Sequence, residues 1–253
     1  MQGMKPRLVR SRAATAGVCL IALAGAAACG PSGAGGQGED GSVRDTAAAA
    51  GASDVPKVKA AGALTSEQLG AAALATGDVK NFAAEPLEGA APTGSSRTVK
   101  AACMPFVSVL NGTPEPAPSA TVYRRLVDAT EDGQSDQTVV TEVLGSHPSG
   151  APDVLARLRT AIGACADGFQ TKGGDLEPSV FTAVKELPAP KAGDEAVAYE
   201  LTGVAQGGAV PMVFQVVRSG TTVVTYCAVD VTGDDTPRIP AELAVAQAAK
   251  LKS

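Results

Sequence analysis

The segment Gly145-Ser146-His147-Pro148-Ser149-Gly150 sets two hydroxyls beside the chain's only histidine, the residue types of a hydrolytic nucleophile and its general base. Neighbours in sequence rarely reach triad geometry and no Gly-x-Ser-x-Gly turn accompanies them, so a Pro/Gly-punctuated loop before a helix explains them better. Asp128-Ala129-Thr130-Glu131-Asp132-Gly133 begins like a calcium loop, with alternating oxygens ahead of a glycine, but Val139 occupies the twelfth position where a bidentate glutamate is needed. A polar hairpin loop uses the same residues. Cys227, beside Tyr226, has no nearby base to activate it and reads as a core thiol. Arg124 and Arg125 fall on opposite faces of one strand, either as a solvated pair at a sheet edge or with one arginine turned inward toward an anion. Gly207-Gly208-Ala209 lacks the lysine and helix start of a phosphate loop, and no Cys-x-x-Cys or Cys-x-x-His pair offers zinc ligands. No residue is assigned a catalytic or metal-binding role, and no cofactor is expected.

These side chains must be carried by a core that is 45% hydrophobic in composition but only 3% aromatic and without tryptophan, hence built from Val, Leu, Ala and Thr. The 253 residues carry a net charge of −5, and the basic residues Lys5, Arg7, Arg10 and Arg12 all precede the first acid, Glu39. Without residues 1–28 the net charge is −9. A chain that acidic has no footprint for nucleic acid, and no later basic cluster suits anionic lipid headgroups.

The basic start is followed by an uncharged apolar run from Ala13 to Ala28, about 16 residues against the roughly 20 needed to span a bilayer. This is the pattern of a secretion signal over residues 1–28. Ala26-Ala27-Ala28-Cys29-Gly30 resembles the lipobox of bacterial lipoproteins, in which the Cys29 thiol takes diacylglycerol, palmitate being a typical chain, before cleavage ahead of the cysteine. Ala26 departs from the usual leucine, and Ala26 with Ala28 also satisfies an ordinary A-x-A cleavage at the same bond. Residues 29–62 lack Leu, Ile, Met and aromatics and cannot offset their ordering entropy, so they are expected to form a disordered tether of roughly 30 Å typical reach.

Residues 63–253 are expected to form one α+β domain, a largely antiparallel twisted sheet with helices packed on one face. Thr65 and Gln68 have capping-box spacing at the start of a short helix that Gly77 stops, Asp78 to Leu87 is extended, and Pro105 to Leu110 is a second short helix. Val- and Thr-rich runs predict strands over Ala120–Thr130, Gln137–Leu144, Ser179–Leu187, Glu195–Gly203, Val210–Arg218 and Thr221–Val231. Leu155, Leu158, Ile162 and Cys165 form one apolar stripe on a helix from Asp153 to Cys165, and a weaker helix covers Pro240 to Leu251. With Ser219-Gly220 as a two-residue loop, Arg218 pairs Thr221, Val216 opposes Val223, and Met212 opposes Cys227. That register puts Met212, Phe214, Val216, Val223 and Cys227 on one covered face.

Of the cysteines beyond Cys29, Cys103 begins a short helix and Cys165 ends the long one, whereas Cys227 lies mid-strand; Cys103 and Cys165 are the expected disulfide, two buried thiols the alternative.

The segments CMPFVSVLNG, ARLRTAIGACADGF, KELPAPKAGDEAVAYELTG and PMVFQVVRSGTTVVTYCAVDV, in that order, resemble an actinobacterial lipoprotein family described as sensor-domain-containing. That family is similar to the extracellular sensor domain of mycobacterial receptor Ser/Thr kinases of the PknH type. The resemblance spans Leu64 to Ser253, with ACADGF and LPAPKAGDEA its most specific pieces. It implies an α+β domain with a disulfide and a ligand groove, brings no catalytic residues, and leaves any signalling output to a partner. The expected function is that of a membrane-anchored, extracytoplasmic, non-enzymatic binding or sensor module, held to the cell membrane by its lipid, with a small molecule or envelope protein as ligand. The alternative is a carrier of a lipid or hydrophobic small molecule, its acyl chain sheltered by a curved sheet.

Overall fold

Thr65 and Gln68 cap helix α1 (Ser66–Ala72) reciprocally: the Gln68 amide donates to Thr65 Oγ1 at 3.2 Å and the Thr65 amide to Gln68 Oε1 at 2.9 Å. The computed structural model describes residues 62–87, 94–128, 139–174, 179–205, 208–229 and 236–252. After α1 come β1 (Phe82–Pro86), β2 (Arg97–Thr98), a 3-10 turn (Ala101–Cys103) and α2 (Met104–Leu110). The chain then forms β3 (Ala120–Asp128), β4 (Val139–Ser146), α3 (Ala151–Ala164), β5 (Phe169–Lys172), β6 (Val180–Leu187), β7 (Glu195–Ala205), β8 (Gly208–Ser219), β9 (Thr222–Val229) and α4 (Ala241–Lys250). The strands make one open sheet in the order β1-β3-β4-β9-β8-β7-β6-β5-β2, every described pairing antiparallel, so the expected α+β class holds. Strands β2 and β5, of two and four residues, were not among the predicted ones, being too short to show a period.

The expectation that the helices share one face is corrected. Two cores lie on opposite sides of the sheet: α2 and α3 cover Tyr199, Phe214, Val216 and Val223, while α1 and α4 cover Val140, Leu144, Val213 and Tyr226. The reason is legible in β8 and β9, where Val213-Phe214, Val216-Val217 and Val223-Val224 are consecutive buried residues. In a strand, neighbours point to opposite faces, so apolar doublets require cover on both. The expected register also shifts. Ser219 pairs Thr222 and Gly220-Thr221 is the loop, with Gly220 at φ 60°, as a turn with glycine in its first central position demands. Each residue therefore meets a partner two positions further on, Met212 opposite Val229 and Phe214 opposite Cys227. A two-residue shift preserves the side-chain period, so Met212, Phe214, Val216, Val223 and Cys227 share a face as expected.

The few aromatic residues are concentrated under α2 and α3. Phe106 meets Tyr199 at 4.9 Å between ring centres, Tyr199 stacks on Phe214 at 5.0 Å, and Phe169 stacks on Phe181 at 4.7 Å. The two most specific sequence segments do structural work here. In ACADGF, Cys165 bridges to Cys103 across 5.9 Å between Cα atoms, and Gly168 turns at φ 84° so closely over β6 that an added Cβ would sit 2.1 Å from the Phe181 carbonyl oxygen. In LPAPKAGDEA, Asp194 accepts from the Gly220 amide at 2.8 Å and from Arg218 at 3.1 Å. Glu195 ion-pairs with Arg159 of α3 and with Arg218, fastening that helix to the start of β7 and the end of β8.

Candidate functional site

Ser146 closes β4 and His147 follows it, its amide donating to the Thr221 carbonyl at 2.9 Å. Both side chains are fully buried, and neither Ser146 Oγ nor the two ring nitrogens of His147 make a hydrogen bond of ordinary geometry among the described residues. Burial lowers the His147 pKa, against the opposing pull of the Pro116 backbone. Ser149 lies in the exposed stretch beyond. A nucleophile and base sealed from water cannot reach a substrate, so the hydrolase pattern is a buried strand end.

The paired arginines divide. Arg125 is an exposed partner of Glu85 at 3.1 Å. Arg124 turns toward α1, donating to the Gly70 carbonyl at 3.3 Å and to the Tyr123 carbonyl at 3.0 Å, and so caps a helix end rather than binding an anion. Cys227 stands outside the disulfide, half-buried against the α2–α3 core. Of the calcium-like run, Asp128 ends β3 and residues 129–138 lie outside the described residues; Gly208 starts β8 and Gly207 lies outside them. Cys29, the signal and the tether over 30–61 also lie outside them.

Among the described residues, two arrangements have ligand-like or ionisable character. The first is an open groove of about 500 Å³ between the 3-10 turn with α2 and the outer side of α3. Ala101, Ala102, Met104 and Pro105 form one wall and Ala156 and Thr160 the other, with the Arg157–Glu115 ion pair at 3.6 Å on its rim. The Cys103–Cys165 bridge ties the 3-10 turn to the end of α3 and so joins the elements that carry the two walls. Cys103 and Cys165 were expected from sequence as a pair; the groove was not located by it, since its walls, at Ala101 to Pro105 and Ala156 to Thr160, are far apart in the chain and ordinary in composition.

The second lies on the other face. Arg124, Glu142, Tyr226 and Gln215 are direct cross-strand partners in a row over β3, β4, β9 and β8, beneath α1 and α4. Glu142 is fully buried, and neither carboxylate oxygen makes a hydrogen bond of ordinary geometry with any of the described residues. Desolvation pushes its pKa up to about 7, against the opposing pull of Tyr226, Arg124, the Leu74 backbone amide and Lys250. Sequence reasoning passed over Glu142, yet a signal was present: it alternates with Val140 and Leu144, the spacing of one strand face.

No family model matches the chain, and no curated protein does either. Among solved structures, it is similar to the extracellular domain of PknH from Mycobacterium tuberculosis, with a TM-score of 0.43 and 12% sequence identity over 75% of this chain and 97% of that one.

Proposed function

We propose that this chain is a lipid-anchored, extracytoplasmic and non-enzymatic module that binds a small ligand in the groove between α2 and α3. The observation that carries the reading is the groove itself: about 500 Å³, mostly apolar, with one ion pair at its rim and its walls joined by the Cys103–Cys165 disulfide. That combination of apolar walls and a few polar groups suits small-molecule recognition, and a covalent tie between the walls lowers the ordering cost of binding. The anchor is supported by the sequence alone, through the basic start, the apolar run and Cys29 followed by a glycine-rich tether.

The carrier alternative needs a sheet face left open to an acyl chain. Side chains fill that space on both faces, Phe106, Tyr199 and Phe214 on one and Leu144, Tyr226 and Leu243 on the other, all at most 2% exposed. The carrier is not retained.

The test is mass spectrometry of protein extracted mildly from its own membranes, native and denatured. The expected denatured mass is that of residues 29–253 plus diacylglycerol, less two hydrogens for the disulfide. An adduct present only in the native spectrum, and lost in Ala156→Trp, supports the groove; Ala156 is exposed, so the larger side chain fills the groove without disturbing the core. An unlipidated chain refutes the anchor, and an adduct that persists in Ala156→Trp refutes the groove.

A further inference from the structure

Glu142 sits mid-β4 between Val140 and Leu144, covered by the chain end of α1 and by α4. Around it, the side-chain donors have other acceptors. Arg124 spends its two terminal nitrogens on the Tyr123 and Gly70 carbonyls. Gln247 of α4 donates to the Ala72 carbonyl at 2.8 Å and Gln215 of β8 to the Ile239 carbonyl at 3.2 Å. Lys250 of α4 pairs with Asp78 at 2.5 Å. Tyr226, the β9 partner of Glu142, points its hydroxyl at the Leu243 carbonyl of α4, 3.4 Å away. A phenol has one proton and Tyr226 has two acceptors for it, the Leu243 carbonyl and an ionised Glu142; with the proton aimed at Leu243 it faces Glu142 as an acceptor. An ionised Glu142 is then a desolvated acceptor beside another acceptor, whereas a neutral carboxylic acid supplies the missing O–H.

We propose that Glu142 is a proton-binding site that fastens α4 to the sheet: protonated, it donates to Tyr226 Oη, whose own proton goes to the Leu243 carbonyl, and ionisation breaks this chain. The proton comes from and returns to solvent when α4 opens locally. The charged or titratable groups facing the site are Arg124 on β3, Tyr226 on β9, Lys250 on α4 and, through Lys250, Asp78 after α1. Tyr226, when its proton turns to the carboxylate, together with the two cations and the Leu74 amide, favours the ionised form, but desolvation outweighs them and places the transition near neutrality. The lock stands on the face opposite the groove and is independent of ligand binding there.

Two measurements on the full mature chain test it. In a carbon-detected NMR titration of the wild-type glutamate carboxyls, the Glu142 resonance is expected to move with a midpoint near 7, and a midpoint at the ordinary glutamate value of about 4.5 overturns the proposal; no variant is needed. In hydrogen exchange corrected for intrinsic rates, α4 amides are expected to lose at least roughly tenfold in protection between about pH 5.5 and about pH 8, with α3 as internal reference. Glu142→Gln, which donates an N–H without titrating, is expected to abolish that dependence, and Tyr226→Phe to remove the extra protection at the lower pH. Protection of α4 that is indifferent to pH in the wild type, or equally dependent on it in Glu142→Gln, overturns the lock.

Discussion

Tyr199 stands at the centre of the aromatic chain between Phe106 and Phe214, fully buried, with a hydroxyl that has no hydrogen-bond partner among the described residues. Desolvation accordingly drives its pKa upward. The ring contributes packing while the hydroxyl costs its lost hydration, so Tyr199→Phe is expected to leave stability unchanged or raise it by up to about 1 kcal/mol. Urea denaturation decides, and a loss of more than that would assign the hydroxyl a partner. Thr65 makes the opposite case. Its side chain satisfies an otherwise orphaned amide of α1, so Thr65→Ala is expected to cost about 1 kcal/mol despite being exposed.

Among the elements, the long helix α3 is held by three devices of unequal strength. Its disulfide to Cys103 closes a 62-residue interval and stabilises by roughly 4 kcal/mol in the chain-entropy model. Replacing both cysteines by serine is expected to lower the denaturant midpoint strongly and to loosen the groove whose walls the bridge joins. The turn leaving α3 depends on Gly168, where φ is 84° and β6 passes within touching distance. Gly168→Ala is expected to cost about 2 kcal/mol or more, from strain and from displaced backbone, measurable as a lowered Tm. The Arg159–Glu195 pair is partly solvated, and Arg159→Ala is expected to cost under about 1 kcal/mol although it looks prominent in the structure.

For the molecule as a whole, two buried groups give stability opposite dependences on pH. Glu142 has a folded pKa raised from 4.5 to about 7, so the native state holds a proton that the unfolded chain releases. Its contribution is fully present below about 4.5, declines as pH rises toward 7 and is flat above, a span of about 3 kcal/mol. His147 has a lowered folded pKa, so its contribution is present above about 6.5 and is lost as pH falls. Asp78 and Glu195, lowered by Lys250 and Arg159 respectively, add further loss at strongly acid pH. In thermal melts, Glu142→Gln is expected to gain on the wild type progressively from about pH 5 to about pH 7, with the difference constant beyond; a constant difference throughout contradicts the raised pKa. The same two-sided burial makes α4 indispensable, since without it Tyr226, Val213 and Val224 would face water on the middle strands of the sheet.

Local signals in the sequence were enough to determine the capping box at Thr65, the stripe of α3, the Val/Thr strands and the α+β class, and to make Cys103 with Cys165 the expected pair. Each of these is encoded by residues within one or two turns, or by the position of a cysteine at an element's end. Tertiary structure alone decided which helices cover which face, the two-residue shift of the last hairpin, the sealing of Ser146 and His147, the groove and the environment of Glu142. The physical reason is common to all five. Strand periodicity says which side chains share a face but not what covers it, and burial of a polar residue is a property of elements brought together from α1, β3, β4, β9 and α4. A glutamate alternating with valine and leucine marks an apolar strand face but not the element that covers it; the fold supplied the helix, and with it the shifted pKa.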